Sequence, residues 1–474
     1  MGWLSRIPAW TPPRKIHVSF VAFCVVIASA SIVVIIRMQL LVSSNANYDT
    51  DDEASSLIPC LNLTTVYKRV VRKYRKAVKT LSPSMYMFSN QTSSKPKMKT
   101  AERLAISSSV MKTKNINCME VITSSHDNLR EVQNRTHTEV PICDSLYPSL
   151  TADCSLFKKY RGYITTSLTE EEESFPLAYS MIVYKDAEMV ERLLRAIYRP
   201  QNYYCIHVDG KSSVAFYRAI ADIANCFTNV MLTSRRIEVT WGTFSVLEPE
   251  LLCMEELWRF PRWRYFLTLT GQEFPLKTNY ELVKILKAFK GANDILTTVT
   301  YATKSRWKNT VPPLGIVPVK GSVHITVNRD FVDYILHNGT AKEILEWTRQ
   351  TEIPDEAFFA VLGANPQLGI RGTYKGNPEL SIRNPFLSRY KNWGSLPCAG
   401  RFVRDICILT TGDLHLLFKA KEMFANKFFL QEDRIVIGCL EEKIFNDTRD
   451  EYLGTKTFET SYYESLDFVK NQVT

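Results

Sequence analysis

From Phe175 onward the chain alternates two kinds of apolar pattern. "FPLAYSMIVY" (175–184) is a continuous apolar run of strand length. "DAEMVERLLRAIY" (186–198) follows, with Met189, Leu193, Leu194 and Ile197 recurring at helical spacing. The pair repeats as "YYCIHVD" (203–209) with "SVAFYRAIADIANCF" (213–227), "NVMLTS" (229–234) with "VLEPELLCMEELWRF" (246–260), and "YFLTLT" (265–270) with "YELVKILKAFKG" (280–291). Four strand–helix alternations predict an α/β core around a mainly parallel central sheet flanked by helices. Ligands of such sheets bind at the carboxyl ends of the strands, which directs attention to "HVDGKS" (207–212) and "LTGQEFPLKT" (269–278). Farther on, 341–351 and 355–364 read as helices and 407–411 as a strand. "GDLHLLFKAKEMFANKF" (412–428) reads as an amphipathic helix ending in a basic turn, and 432–445 as a last helix.

The N-terminal pattern differs. Ile16 to Ile36 is 21 residues without Asp, Glu, Lys or Arg, long enough to cross a bilayer core of roughly 30 Å. "ASAS" (28–31) imitates a signal-peptide cleavage site, but the apolar run continues past it, which favours an uncleaved anchor. Arg6, Arg14 and Lys15 precede the span and only Arg37 follows closely. The positive-inside rule then leaves 1–15 as a cytoplasmic tail and sends the rest to the lumenal side, as in a single-pass type II protein.

Composition agrees with that placement. N-x-S/T sequons stand at Asn62, Asn90, Asn134, Asn338 and Asn446. Ten of the eleven cysteines lie outside the span, an even number that an oxidising compartment would pair. No C-x-x-C and no Cys/His cluster at ligand spacing occurs, so no zinc site is expected. Neither a G-x-G-x-x-G nor a P-loop occurs, so no dinucleotide or ATP cofactor is expected. The net charge of +10 would suggest nucleic acid in a nuclear protein. In a lumenal one it suits anionic sugar nucleotides or acidic glycans, and no nucleic-acid partner is expected. The densest basic stretch, 66–79, reads as a solvated face of a polar segment.

"TEIPDEAFFAVL" (351–362) sets Asp355 and Glu356 against an apolar run. Acids favour a helix start because they complement its dipole. A carboxylate in that place can also serve as a catalytic base, and the pattern alone favours the helix start.

Four longer stretches narrow the reading. "YSMIVYKDAEMVERLLRAIYRPQNYYCIHVDGKS" (179–212), "LTGQEFPLKTNYELV" (269–283), "PDEAFF" (354–359) and "VRDICILTTGDLHLLFKAKEMFANKF" (403–428) closely resemble the core 2 branching β-1,6-N-acetylglucosaminyltransferases, in order along the chain. The resemblance implies a GT-A-like fold and a Golgi-membrane enzyme that inverts at the anomeric carbon without a divalent metal or other cofactor. Its substrates would be UDP-GlcNAc and a galactose/GalNAc-type acceptor on O-glycans or related glycans. It divides the lumenal part into a largely disordered stem at 37–115 and a catalytic domain at 116–474. The D-x-D motif by which many GT-A enzymes hold Mn²⁺ occurs only at Asp49–Thr50–Asp51, outside that domain. Cations must then come from the protein, and the resemblance assigns them to Arg404 and Lys427. A planar fork and a point charge both suit phosphate oxygens. Arg404 is expected before a strand and Lys427 at a helix end.

By the same resemblance Glu356 is the base, held ionised in a first helical turn, with Asp355 as that helix's N-terminal acid. Donor contacts fall on Val183, Tyr184 and Lys185, on Asp209, Gly210, Lys211 and Ser212, and on Gly242. Cystines would be Cys118–Cys439, Cys154–Cys226, Cys205–Cys253 and Cys398–Cys407. Cys60 and Cys143 remain, to pair with each other or with a second chain in a stem-mediated dimer.

The acceptor half departs from the family. Lys304 and Arg306 match its acceptor-binding Lys and Arg if one residue is deleted, but its acceptor-binding Glu has no counterpart, since Leu296 or Thr297 takes its place. The aromatic pair that packs on the acceptor is also missing, with Tyr390 and Trp393 nearby. A lost hydrogen-bonding carboxylate changes specificity far more than a lost methyl. Three readings follow: an active β-1,6-N-acetylglucosaminyltransferase, a transferase using another UDP-sugar, and a catalytically silent lumenal homologue that binds glycans or associates with other enzymes.

Overall fold

The run LAYSMIV forms β1 (Leu177–Val183), and it can be apolar almost throughout because both of its faces are covered. Leu177, Tyr179, Met181 and Val183 pack on one side with Leu193 and Leu194 of α1 (Ala187–Ile197), Phe216 and Ile220 of α2 (Val214–Ala224) and Leu282 and Leu286 of α4 (Asn279–Ala288). Ala178 faces the other way, into a second core. There it meets Met254 and Leu257 of α3 (Glu248–Trp258), Phe331 of α5 (Arg329–His337), Trp347 of α6 (Gly339–Arg349) and Val361 of α7 (Phe358–Ala364). These are features of a computed structural model that describes residues 116–123, 141–300, 302, 304–307, 310–379 and 384–474. The expected anchor at 16–36, the stem at 37–115 and the sequons at Asn62, Asn90 and Asn134 lie outside the described residues. Among the described residues no helix is long and apolar enough to cross a membrane.

The central sheet has the order β3-β2-β1-β4-β7-β6. β2 (Tyr203–Val208), β3 (Val230–Leu232) and β4 (Tyr265–Thr270) continue β1 in parallel. β7 (Lys320–Asn328) is antiparallel to both β4 and β6 (Asp294–Thr298). The sheet is therefore mainly parallel, with an antiparallel margin that the apolar pattern did not announce. The helices begin on local signals. Asp186 accepts a hydrogen bond from Met189 N at α1, and Thr278 with Glu281 forms a capping box at α4.

Three expectations change. Residues 412–428 are not one helix. A short helix covers Leu414–Leu417, and Phe424–Asn426 is a strand in a small sheet between β5 (Glu273–Pro275) and β8 (Arg389–Tyr390). Met423, Phe424 and Ala425 are consecutively buried, which a strand covered on both faces allows and an amphipathic helix does not. The expected strand at 407–411 shrinks to its first residue. β9 (Phe402–Val403) and β10 (Ile406–Cys407) make a two-stranded hairpin, and a 3₁₀ turn begins at Thr411. Asp355 and Glu356 lie in a separate 3₁₀ turn, Pro354–Glu356, ahead of α7, so neither stands in its first turn. In chain order Phe424–Asn426 is β11.

The long helix α8 (Arg434–Leu453) is locked to α1, and it is not the last, since short helices at Ser461–Glu464 and Asp467–Lys470 follow it. Arg192 donates to both oxygens of Glu441 (3.0 and 2.8 Å), and Arg195 joins Glu441 to Glu191. Burial opposes the charge on Glu441, but the two guanidiniums outweigh it and hold the carboxyl at about 2. The four cystines Cys118–Cys439, Cys154–Cys226, Cys205–Cys253 and Cys398–Cys407 are formed. Cys143 is also disulfide-bonded. Asn338 caps α6 with its side chain, and Asn446 lies within α8.

Candidate functional site

Of the residues expected to bind a nucleotide-sugar, Val183, Tyr184, Lys185, Asp209, Gly210, Lys211 and Ser212 lie where β1 and β2 end. Asp209 N donates to Val183 O (2.9 Å), and Ser212 Oγ donates to Tyr184 O (2.8 Å), so the two loops are stitched together. Asp209 Oδ1 accepts from Lys211 N (2.9 Å) and Val239 N (3.3 Å). Gly210 leaves no room for a side chain, since a Cβ there would lie 2.7 Å from Glu238 Cγ and 3.1 Å from its backbone nitrogen. Arg236 braces the turn by donating to the carbonyls of Asp209, Gly210 and Ser212. That residue was not anticipated, because a single arginine among several carries no local pattern.

Tyr184 and Lys185 extend this cluster toward the C-terminal part. Gln272, just past β4, donates to Tyr184 Oη (3.0 Å), and its carbonyl accepts from Phe428 N (2.9 Å). The ring of Phe429 is shared by two ammoniums, with Lys185 Nζ 5.2 Å and Lys427 Nζ 5.0 Å from its centre. Lys427 therefore follows β11 and is not at a helix end, which removes the helix-terminus account of its charge. Its carbonyl accepts from Leu409 N (2.9 Å), tying it to the segment after β10. Arg404 stands at the tip of the β9–β10 hairpin. Both tip residues have positive φ, 50° at Arg404 and 63° at Asp405, as a tight two-residue hairpin requires. An arginine in that conformation costs on the order of 1–3 kcal/mol, a strain that recurs at functional positions.

Glu356 stands on the opposite side of the strand ends, and Gly242 joins the two. Ile353 N donates to Gly242 O (3.1 Å), and Ile353 O accepts from Glu356 N (3.1 Å). Ile353 is β-branched, precedes a proline and has φ 51°, an outlier on both counts. A strained residue thus hangs the Glu356 turn from the Gly242 carbonyl. Cations hold the carboxylate there in place of a helix dipole. Arg306 Nη1 is 2.6 Å from Oε2 and Lys320 Nζ is 3.8 Å away, and the Glu356 side chain keeps 29% of its surface exposed. Asp355 caps nothing. It is buried, and its Oδ1 has no hydrogen-bond partner among the described residues. Burial, together with the charge of Glu356, raises its pKa to about 7.

Behind Glu356 lies a buried polar layer. β7 alternates polar Lys320, Ser322, His324 and Thr326 with apolar Val323, Ile325 and Val327. Lys391 Nζ lies 3.0 Å from His324 Nδ1, and His324 Nε2 lies 2.6 Å from Glu273. Arg389 and Asn426 also donate to Glu273. Burial lowers His324 to about 4 and Lys391 to about 8. Of the acceptor-side pair, Arg306 lies on Glu356, while Lys304 is exposed on the same 3₁₀ turn. Trp393 is exposed, with Lys391 Nζ 5.8 Å from its ring centre. Among the described residues no three carboxylate, imidazole or thiol side chains converge as a metal site needs.

The profile of the Core-2/I-Branching enzyme family matches residues 177–417. The chain is 34% identical over 368 residues to a Bos taurus β-1,3-galactosyl-O-glycosyl-glycoprotein β-1,6-N-acetylglucosaminyltransferase, covering 70% of this chain and 85% of that protein. It is 36% identical to the Homo sapiens protein of the same name over 63% of this chain and 76% of the relative. It is also 36% identical to the Rattus norvegicus β-1,3-galactosyl-O-glycosyl-glycoprotein β-1,6-N-acetylglucosaminyltransferase 3 over 62% and 74%. The match takes in both sets of loops at the strand ends and the hairpin that carries Arg404, and the chain belongs to the Core-2/I-Branching enzyme family.

Proposed function

We propose that this chain transfers N-acetylglucosamine from UDP-GlcNAc, in β-1,6 linkage, to a galactose/GalNAc-type acceptor on O-glycans, by an inverting, metal-independent displacement on a GT-A-like fold. Glu356 takes the proton of the acceptor C6 hydroxyl as that oxygen bonds to the anomeric carbon. The bond to the diphosphate oxygen breaks on the opposite side. The negative charge that develops on UDP is met by Arg404 and Lys427, whose preset positions cost no reorganisation during the reaction. Val183, Tyr184, Lys185, Asp209, Gly210, Lys211 and Ser212 hold the nucleotide-sugar. The protein acts in the Golgi lumen, anchored as a type II membrane protein by residues 16–36.

One observation carries this reading: the base turn hangs from Gly242, so the carboxylate and the donor loops share one backbone frame. The test is UDP-GlcNAc turnover by the purified full-length protein against a panel of O-glycan acceptors, with the product linkage determined. A β-1,6-GlcNAc product is expected. Turnover with a different UDP-sugar alone would move the assignment to the second reading of the sequence. A catalytically silent glycan-binding role draws support from Arg306 lying on Glu356 and from Leu296 or Thr297 at the acceptor-carboxylate position. UDP binding without turnover on any acceptor would establish that reading instead.

A further inference from the structure

At the end of β6 the chain leaves the sheet, and two backbone amides lose their ladder partners. A carboxylate from a different loop takes them up. Glu379 Oε1 accepts from Val299 N (2.7 Å) and Thr300 N (2.9 Å), and Oε2 accepts from Thr298 Oγ1 (2.9 Å). Next to it Thr297 Oγ1 donates to the carbonyl of Pro378 (2.9 Å). The loop at 377–379 is thereby fastened to the strand end through four hydrogen bonds.

That strand end belongs to the neighbourhood of the candidate base. Thr298 is the cross-strand partner of Lys320, whose Nζ is 3.8 Å from Glu356. Farther along the segment that starts at Val299, Arg306 returns to Glu356 (2.6 Å), and Arg306 O accepts from Glu352 N (3.0 Å). Glu379 therefore fixes where the segment begins, and Glu356 and Glu352 hold where it returns. Arg306 and an arriving hydroxyl compete for the same carboxylate, so the tether at Glu379 limits how far Arg306 can withdraw.

We propose that Glu379 is a positioning residue for the acceptor side: by capping Val299 and Thr300 it sets the place of Arg306 over Glu356, and with it which acceptors reach the base. The proposal rests on the acceptor role given to Arg306 above, and its test does not depend on turnover. Amide hydrogen exchange is measured on the full-length protein with UDP bound, for the wild type, Glu379→Ala and Glu379→Gln. Losing a charged acceptor frees the amides of Val299 and Thr300 to exchange about tenfold faster or more in the alanine variant. The proposal further requires the Glu352 amide to exchange faster in Glu379→Ala and to recover in Glu379→Gln, whose amide oxygen can still accept. UDP affinity stays within about twofold, since the donor loops keep their hydrogen bonds. On any acceptor that turns over, KM rises while kcat changes little. Faster exchange confined to Val299 and Thr300, or a parallel loss of UDP affinity, overturns the proposal. Absence of turnover in the wild type would sink the enzymatic reading and leave the exchange result to decide this one.

Discussion

At the β1–β2 end of the sheet the loops are gripped at their main-chain atoms, by each other and by Asp209, Ser212 and Arg236, while at the β6–β7 end charged side chains grip one another. Val183, Tyr184, Asp209 and Gly210 all bond through main-chain atoms, and Gly210 is packed too closely to accept a Cβ. Glu356, Arg306, Lys320, Lys391 and Glu379 hold the other end through carboxylates and cations. Loops gripped at their main chain keep their shape when exposed side chains such as Tyr184 change. A half held by side chains is rewritten by a few substitutions. On the proposed assignment, the half gripped at its main chain binds the donor, and the half gripped through side chains binds the acceptor.

The largest effect expected is separation of the two halves by a single atom change. Glu356→Gln should lower turnover by about 10²–10⁴-fold, the usual contribution of a general base, with UDP affinity nearly unchanged. Retained turnover would place the base elsewhere. Next, Arg404→Ala and Lys427→Ala should each weaken UDP by roughly tenfold or more, the worth of a hydrogen bond to a charged group. Calorimetry with UDP and with uridine reads this, and equal losses for both ligands would deny these residues the diphosphate. Gly210→Ala should be milder, costing about 1–3 kcal/mol of overpacking that Glu238 Cγ can partly relieve. It is expected to raise the donor KM and leave the acceptor KM alone.

The last prediction is read in stability and not in turnover, and it concerns Asp355. Its folded pKa, about 7, is raised above the ordinary 3.8. Between those values the folded chain keeps a proton that the unfolded chain has lost, so its contribution to stability falls as pH rises through that window. Asp355→Asn has no such proton to lose. Its Tm relative to the wild type should therefore climb from pH 4 to pH 7 and then level off. A constant difference across that range would mean that Asp355 titrates normally.

The core was legible because β1, β2 and β4 are apolar enough to signal a strand covered on both faces, and the helices between them keep a clean period. The margin of the sheet was not read, although "KGSVHITVN" (320–328) alternates strictly and could have been. Its polar face points into a buried hydrogen-bonded layer rather than to water, so alternation there has a tertiary cause. Residues 412–428 misled for a related reason. Leu414, Leu417, Met423 and Phe424 mimic a helical stripe, yet β5 and β8 recruit Phe424–Asn426 into a sheet whose other members lie far away in sequence. Glu356 was identified by resemblance and not by pattern, and the pattern's account of it, a first helical turn, gives way to Arg306 and Lys320. Arg236, Gln272 and Glu379 left no trace in the sequence, because each acts through partners that only the fold brings near.

The central claim is that the protein's own cations, Arg404 and Lys427, meet the charge that transfer puts on UDP. UDP-GlcNAc turnover and UDP binding by the full-length protein, measured after exhaustive treatment with EDTA and again with Mn²⁺ restored, test it most directly. Both should be the same in the two conditions. Turnover or binding that vanishes with EDTA and returns with Mn²⁺ would contradict the account.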